Sequence, residues 1–392
     1  MKFTLSLSLS LYLVVLASAD HVHERSDYKD TYDGKTGQWD VTWDSMKSLP
    51  SPRSDFSAVV SSSSNYVYLM GGCDETQVKA PWDDSMFYCP SITDLCQKYD
   101  VAGNSYSTCA PMLVDRYRHA AVGISTSIYV IGGRDMDDNL ITSIDKYDTV
   151  TNEWTSKLAS FDSITSDAAV YSVGTDLFIV GGYEADYTAS DKVWKIDTTQ
   201  ETWVPEPAAK LNSGRGDIFT VVAGDHVFVT GGFTHEDNFC NALKSVEKKP
   251  INGGEWTHVA ENLVGRGDKA LVHLNERIFA IGGETKVNCA STSTPVHDVE
   301  VYDVEHDSWK VATSIPEETF RFVAVSIGES DDIFIFGGQQ LYNKTCDCYR
   351  LSDDVLKYHE KFEISEIDAG VGRVGGVAIG LVLTLGLGLG LL

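Results

Sequence analysis

A short apolar run closed by two glycines recurs six times along the chain. It reads Tyr66-Val67-Tyr68-Leu69-Met70 before Gly71-Gly72, and returns before Gly132-Gly133, Gly181-Gly182, Gly231-Gly232, Gly282-Gly283 and Gly337-Gly338. The first glycines stand 61, 49, 50, 51 and 55 residues apart. A period near fifty built on short apolar runs predicts four short strands per unit. Downstream of each pair comes an aromatic or apolar residue, usually followed by Asp, and then a Trp seven to ten residues on. Tyr147-Asp148 with Trp154 and Tyr302-Asp303 with Trp309 set the pattern. Trp194 with Trp203 and Val246 with Trp256 follow it loosely, and Tyr99-Asp100 has Tyr106 in the Trp slot.

A third element keeps the same phase. Arg116, Arg215, Arg266 and Arg321 each lie sixteen residues before the first glycine of a pair. Arg53 lies eighteen before Gly71, with Ser61 to Ser64 absorbing the difference, and the third unit has Thr165. Paired glycines let the backbone turn where a Cβ would clash. Large aromatics fill the wedge between neighbouring sheets, which no single unit could bury alone.

Double glycine, Tyr-Asp and a spaced Trp resemble the kelch repeat over about residues 40 to 360. The resemblance implies an all-β chain: a six-bladed kelch-type β-propeller with four antiparallel strands per blade. The sixth unit ends near Tyr358-His359 with no Trp after it, while Trp43 lies ten residues before Arg53, as Trp256 lies ten before Arg266. The segment around Trp43 is therefore expected to close the last blade from the N-terminal side and remove an open edge. Trp39 fits that spacing less well.

Composition narrows the class. Hydrophobic residues make up 43% and charged residues 22% of 392, which excludes global disorder. A net charge of -26, with no Lys/Arg run longer than two, excludes nucleic acid as a partner. Met1-Lys2-Phe3, an apolar run through Leu16 and Ala17-Ser18-Ala19 predict a secretory signal over residues 1–19. The chain is uncharged after Arg373, and small residues at Asp368-Ala369-Gly370 precede that tail. Residues 367–392 are read as a GPI-anchor signal with lipid at Asp368 or a neighbour such as Ser365; the alternative is a terminal transmembrane segment. The propeller then occupies residues 20–366, delivered through the secretory pathway to the cell surface and held there by its C-terminal anchor.

Eight cysteines in a secreted chain predict a disulfide framework. Cys96 and Cys109 sit three residues outside Tyr99 and Tyr106 across a hairpin, which suits a cross-strand bridge. Cys73 and Cys89 share a loop. Cys240 with Cys289 is assigned next, which leaves Cys346 with Cys348; other pairings stay open.

Arg215-Gly216-Asp217 and Arg266-Gly267-Asp268 spell an adhesion tripeptide, but Arg53-Ser54-Asp55 and Asp167 occupy the same phase, so the repeat explains them. Arg and Asp two apart on a strand face one side. This predicts a charged ring at the channel mouth from Arg53, Arg116, Arg215, Arg266, Arg321, Asp55, Asp217 and Asp268. In propellers that the chain resembles, residues at the starts of inner strands line the central pocket. The arginines then imply a carboxylate, phosphate or acidic-peptide ligand, with Arg–Asp pairing between blades as the alternative. Arg116 and Arg321, which lack an Asp two residues on, are expected to matter most. Tyr358-His359 is similar to the copper-holding pair of galactose oxidase, which also needs a further C-terminal domain. No copper, other metal or cofactor is expected. Asp135-Met136-Asp137-Asp138-Asn139 lacks the glycine of a calcium loop and is read as solvated. His119 and His226 are read as packed strand residues. Asn343-Lys344-Thr345 is an N-glycosylation acceptor. No Gly-x-Ser-x-Gly or His-Glu-x-x-His occurs. The sequence therefore reads first as a surface-displayed binding module for an extracellular protein or glycan. The alternative is a carbohydrate-active enzyme of kelch type, resembling sialic-acid mutarotases or, further behind, galactose oxidase. Oligomeric state is not encoded in these patterns.

Overall fold

A computed structural model describes residues 21–32, 35–60, 66–81, 83–158, 160–327 and 331–364. The expected leader over 1–19, the tail over 367–392 and Asp368 lie outside these residues. The described residues form six blades. Five are four-stranded antiparallel sheets. Blade 1 runs through Ser57–Val60, Tyr66–Met70, Cys96–Asp100 and Ser105–Thr108. Blade 2 begins at Ala120–Ile124, blade 3 at Ala169–Val173, blade 4 at Phe219–Ala223 and blade 5 at Ala270–Leu274. Blade 6 is made from both ends of the propeller: Val323–Ile327, Asp332–Phe336 and Val355–Ile364 take Lys35–Ser45 as the fourth strand. His21–Tyr32 adds a fifth strand that the sequence pattern does not announce.

The second strand of each blade is packed on both faces by its neighbours, so it reads as an unbroken apolar run instead of an alternation. Ser127–Ile131 and Asp332–Phe336 are buried at every position. The core is accordingly a set of wedges between blades. Val180 and Tyr171 of blade 3 pack with Val227, Val229 and Trp256 of blade 4. Phe334 and Phe336 of blade 6 pack with Val67, Leu69 and Tyr99 of blade 1, which closes the circle.

Tyr-Asp and Trp act as fasteners. The Tyr147 hydroxyl donates to Asn152 at 2.7 Å, and Asp148 accepts backbone N–H groups of Val150 and Thr151 in the same turn. Trp154 Nε1 donates to the Ala110 carbonyl of the preceding blade at 2.8 Å, and Trp309 to Ala260 at 2.9 Å. Tyr and Trp rings lie 5.1 Å apart in blade 2 and 5.0 Å in blade 5. Trp43 stands opposite Tyr358 in register, with rings 5.2 Å apart, and so fills the vacant Trp slot of blade 6. Two loosely fitting repeats are corrected by register. Ile196-Asp197, not Trp194, lies opposite the start of its second strand as Tyr147-Asp148 does, and Lys249, not Val246, takes that place in blade 4. Among the described residues, no helix is long and apolar enough to cross a membrane.

Candidate functional site

The Gly-Gly end of each second strand meets the start of the first, as the bridges Ser54–Cys73, Tyr117–Arg134 and Gly216–Phe233 record. At Gly72, with φ +100°, a Cβ would lie 2.5 Å from Phe56, so the close approach demands glycine. This geometry gathers the long second-to-third-strand loops on one face. Two-residue turns, such as those between Ile124 and Ser127 or Val173 and Asp176, cover the other. All eight cysteines pair at the loop-bearing end, as Cys73–Cys89, Cys96–Cys109, Cys240–Cys289 and Cys346–Cys348. Cys240–Cys289 ties the loops of blades 4 and 5. The loops of blades 6 and 1 are joined by a three-stranded sheet of Cys348–Tyr349, Gln77–Ala80 and Asp83–Tyr88. Phe87 packs there 4.8 Å from the Tyr349 ring.

Beneath these loops, one residue from each blade forms a ring: Asp55, Arg118, Asp167, Asp217, Asp268 and Arg321. All six have left-handed backbone, with φ of 54°, 55°, 54°, 56°, 48° and 54°. The backbone N–H of Arg118 donates to Asp55 O, Asp167 to Arg118, Asp217 to Asp167, Asp268 to Asp217, and Asp55 to Arg321, at 2.9–3.2 Å. The six side chains, with His119 and Phe219 among others, line a cavity of about 210 Å³ on the propeller axis.

The expected arginine ring is corrected by this turn. A left-handed residue breaks the strand's two-residue alternation, so Arg and Asp two apart face different ways. Arg116 is fully buried, donating to the Gly132 carbonyl at 3.1 Å and pairing with Asp145. Arg215 donates to Gly231 O at 3.2 Å and to Glu247 at 2.7 Å. Arg266 donates to Gly282 O at 3.0 Å and pairs with Glu300. Arg53 donates to Gly71 O at 3.4 Å and to Gln97. In the third unit Thr165 Oγ1 takes the role, donating to Gly181 O at 2.6 Å. Arg53, Arg116, Arg215 and Arg266 are thus clamps inside blades and do not line the channel mouth. Their partners Asp145 and Glu300 stand two residues before the Tyr of Tyr-Asp, a spacing that could have flagged them. Neither adhesion tripeptide is available to a partner: both arginines are buried, and a Cβ on Gly216 would lie 2.4 Å from the Tyr183 ring.

Arg321 is the exception. Blade 6 has four residues between its first two strands where blade 2 has two, so counting back from Gly337 lands on the ring and not on the clamp. Arg118, missed by the count, is its counterpart in blade 2. Arg118 Nε lies 3.9 Å from carboxylates of both Asp55 and Asp167. Arg321 reaches Asp268 at 2.9 Å, Glu284 at 3.3 Å and Asp55 at 3.9 Å. Gln77, from the sheet that joins the loops, donates to Asp55 at 2.9 Å. Asp217 receives the Tyr183 hydroxyl at 2.8 Å. Burial, with Asp268 and Asp167 alongside, raises the Asp217 carboxyl far above its usual range. Burial, opposed by Arg321, pushes Asp268 up to about 7. His119, buried and next to Arg116, is pushed down to about 3. Its Nε2 lies 2.9 Å from Ser57 Oγ.

Other candidates fall elsewhere. Tyr358 donates inward to Glu360 while His359 contacts Asp332 at 2.8 Å on the opposite side of the strand, so the two do not converge. Asp135 accepts the N–H groups of Asp137 and Asn139 within its own turn. His226 contacts Asp225. Asn343 sits in the blade 6 loop beside the Cys346–Cys348 bridge, its side-chain Oδ1 accepting the Thr345 N–H at 2.8 Å.

Blade sheets with phased glycine pairs, arranged around a charged axial ring, define a kelch-type β-propeller. The family model described as the KLHDC2/KLHL20/DRC7 Kelch-repeats domain matches residues 68–249 and 118–338, and the chain belongs to the kelch-repeat family. Kelch-like protein 25 of Xenopus tropicalis is 26% identical over 280 residues, covering 68% of this chain and 42% of that protein. Kelch repeat protein M-T8 of Myxoma virus is 26% identical over 222 residues, covering 57% of this chain and 41% of that protein. Alpha-scruin of Limulus polyphemus is 23% identical over 295 residues, 73% of this chain and 30% of that protein. The chain thus spans less than half the length of these relatives. The solved structure of YjhT shares the fold, with a TM-score of 0.64 at 12% identity, over 81% of this chain and 99% of that one.

Proposed function

We propose that the chain is a cell-surface binding module, delivered through the secretory pathway and held by a C-terminal glycolipid anchor. It recognises an extracellular protein or glycan with its loop face and channel mouth. The observation that carries this is the asymmetry of the propeller's two faces. Bridges that tie loops such as Cys73–Cys89 and Cys240–Cys289 cost less entropy to order on binding than free loops would. Exposed Met136, Val287 and Leu341 sit on the second-to-third-strand loops of blades 2, 5 and 6 on the same face, available as apolar contacts.

A phospholipase that cleaves glycolipid anchors should release the displayed chain from cells, and a soluble form ending at Glu366 then probes a glycan array and a secreted-protein library. Combined Met136→Asp, Val287→Asp and Leu341→Asp should weaken the hit at least tenfold with Tm unchanged. Val150→Asp, on the opposite face, should leave it intact; the reverse outcome removes the loop face from the proposal. A second reading, as a carbohydrate-active enzyme, draws on Asp217 and Asp268, carboxyls raised by burial inside a cavity. Anomer exchange of an array-positive sugar, lost in Asp268→Asn, would favour it.

A further inference from the structure

The ring divides into two unequal halves, and one half collects negative charge that its surroundings leave uncompensated. One carboxylate oxygen from each of Asp167, Asp217 and Asp268 lies within 4.8 Å of the other two. The neighbouring guanidiniums do not close this gap. Arg118 stands 3.9 Å from Asp167, and Arg321 is divided among Asp268, Glu284 and Asp55. Among the described residues, no arginine or lysine lies within ion-pair distance of Asp217. A second and separate observation concerns Asp167. Its side chain is only 4% exposed, and its Oδ2 is buried with no hydrogen-bond partner. A buried carboxylate oxygen in that state costs free energy unless something outside the protein's own donors meets it.

We infer that Asp167, Asp217 and Asp268 form a calcium site on the propeller axis. The donor set is all hard oxygen, which suits Ca²⁺ or Mg²⁺ and not a soft transition metal. Coordination chemistry separates those two. Ca²⁺ takes about six to eight oxygens in a flexible arrangement, whereas Mg²⁺ demands a near-ideal octahedron and gives up its water reluctantly. Three carboxylates gathered from three blades, with water from the cavity completing the shell, suit the more tolerant ion. With its carboxyls ionised the ring holds more negative charge than its two arginines balance, and Glu284 draws on Arg321 as well, so a divalent cation relieves repulsion that the ion-free site can relieve only by keeping protons. The ion would also tie blades 3, 4 and 5 together at their inner edge, the stretch of ring where no Arg links neighbours. The inference does not depend on the binding partner proposed above.

The test uses the disulfide-intact protein, stripped with EDTA and dialysed against Ca²⁺ or Mg²⁺. Equilibrium dialysis should find one Ca²⁺ per chain, and calcium at a hundredfold excess over Kd should raise Tm by about 5 °C. Magnesium should do markedly less. Asp217→Asn should lose the bound ion and the Tm shift, yet melt no lower than the wild type in EDTA, because a neutral amide replaces a carboxyl whose charged form burial and its neighbours already disfavour. Asp55→Asn and Asp135→Asn should both keep the ion. No stoichiometric calcium in the wild type overturns the site. So does calcium that survives Asp217→Asn or is lost in Asp135→Asn, and so does a stripped protein that gains stability on acidification alone and ignores calcium.

Discussion

Asp55 and Asp217 occupy the same backbone position in blades 1 and 4, with φ of 54° and 56°, but sit in opposite electrostatic settings. Asp55 lies between two cations, 3.9 Å from both Arg118 and Arg321, and also receives Gln77 at 2.9 Å and the Ser54 hydroxyl at 2.5 Å. Asp217 lies between two carboxylates and has the Tyr183 hydroxyl as its donor. The repeat dictates the turn and the N–H link to the next blade, while the side chain at each turn is free to vary. Two substitutions in a ring of aspartates, Arg118 and Arg321, make one arc self-neutralised and leave the other a run of adjacent carboxyls. Chemistry in this propeller is therefore decided by departures from the repeat.

The largest expected effect tests the neutralised arc. Arg321→Met leaves Asp55, Asp268 and Glu284 facing one another in a buried setting, and loss of one partner from a buried ion pair costs about 3–5 kcal/mol. Urea unfolding of the disulfide-intact chain at neutral pH should show a midpoint lowered accordingly. A loss under about 1 kcal/mol, the range of exposed pairs, would mean that the arginines do not hold this arc together and the contrast would collapse.

A second measurement reads the two arcs by pH. Asp268 has a folded-state pKa of about 7, above the 3.8 of an ordinary carboxyl. Between those values the folded chain binds more protons than the unfolded chain, so stability falls as pH rises from about 4 to 7. In chelator-buffered solution Asp268→Asn should reduce that slope, leaving the part of the same sign that Asp217 contributes. His119 has the opposite sign. Its folded-state pKa is about 3 against 6.5 unfolded, so the unfolded chain takes up the proton first and stability falls as pH drops below 6.5. His119→Gln should flatten that acid limb alone. Identical difference curves for the two variants would show that the arcs do not titrate separately.

Much of the fold was legible because its signals are local. Gly-Gly, Tyr-Asp and Trp each answer a packing demand that recurs at a fixed phase, and Trp43 betrayed the closure by filling a slot left empty 315 residues later at Tyr358. The ring was legible only in part. Asp55, Asp217 and Asp268 were placed at the channel mouth by phase, and Asp167 was seen to share it. Strand alternation then assigned Arg116, Arg215 and Arg266 to the same side, and that rule fails at a left-handed residue. Arg118 was passed over because the count stopped at Arg116. The pairing of Gln77–Ala80 with Cys348–Tyr349 has no sequence signal, since it joins loops about 270 residues apart without a shared motif.

The smallest expected effect bears on the acidic arc. Tyr183→Phe removes the hydroxyl that Asp217 accepts and little else, because the ring stays packed 5.4 Å from Phe239. A single hydrogen bond of this kind contributes about 1 kcal/mol, and somewhat more when the acceptor is ionised. The same change made in an Asp217→Asn background should cost less, by at least about 0.5 kcal/mol, since the partner no longer carries charge. Repeating the cycle at pH 5 and pH 8 asks which form of Asp217 the hydroxyl serves. A coupling larger at the higher pH places an ionised carboxylate opposite Tyr183. An equal cost in both backgrounds would mean that the hydroxyl serves the Phe233 carbonyl, 3.4 Å away, and that Asp217 relies on no protein donor at all.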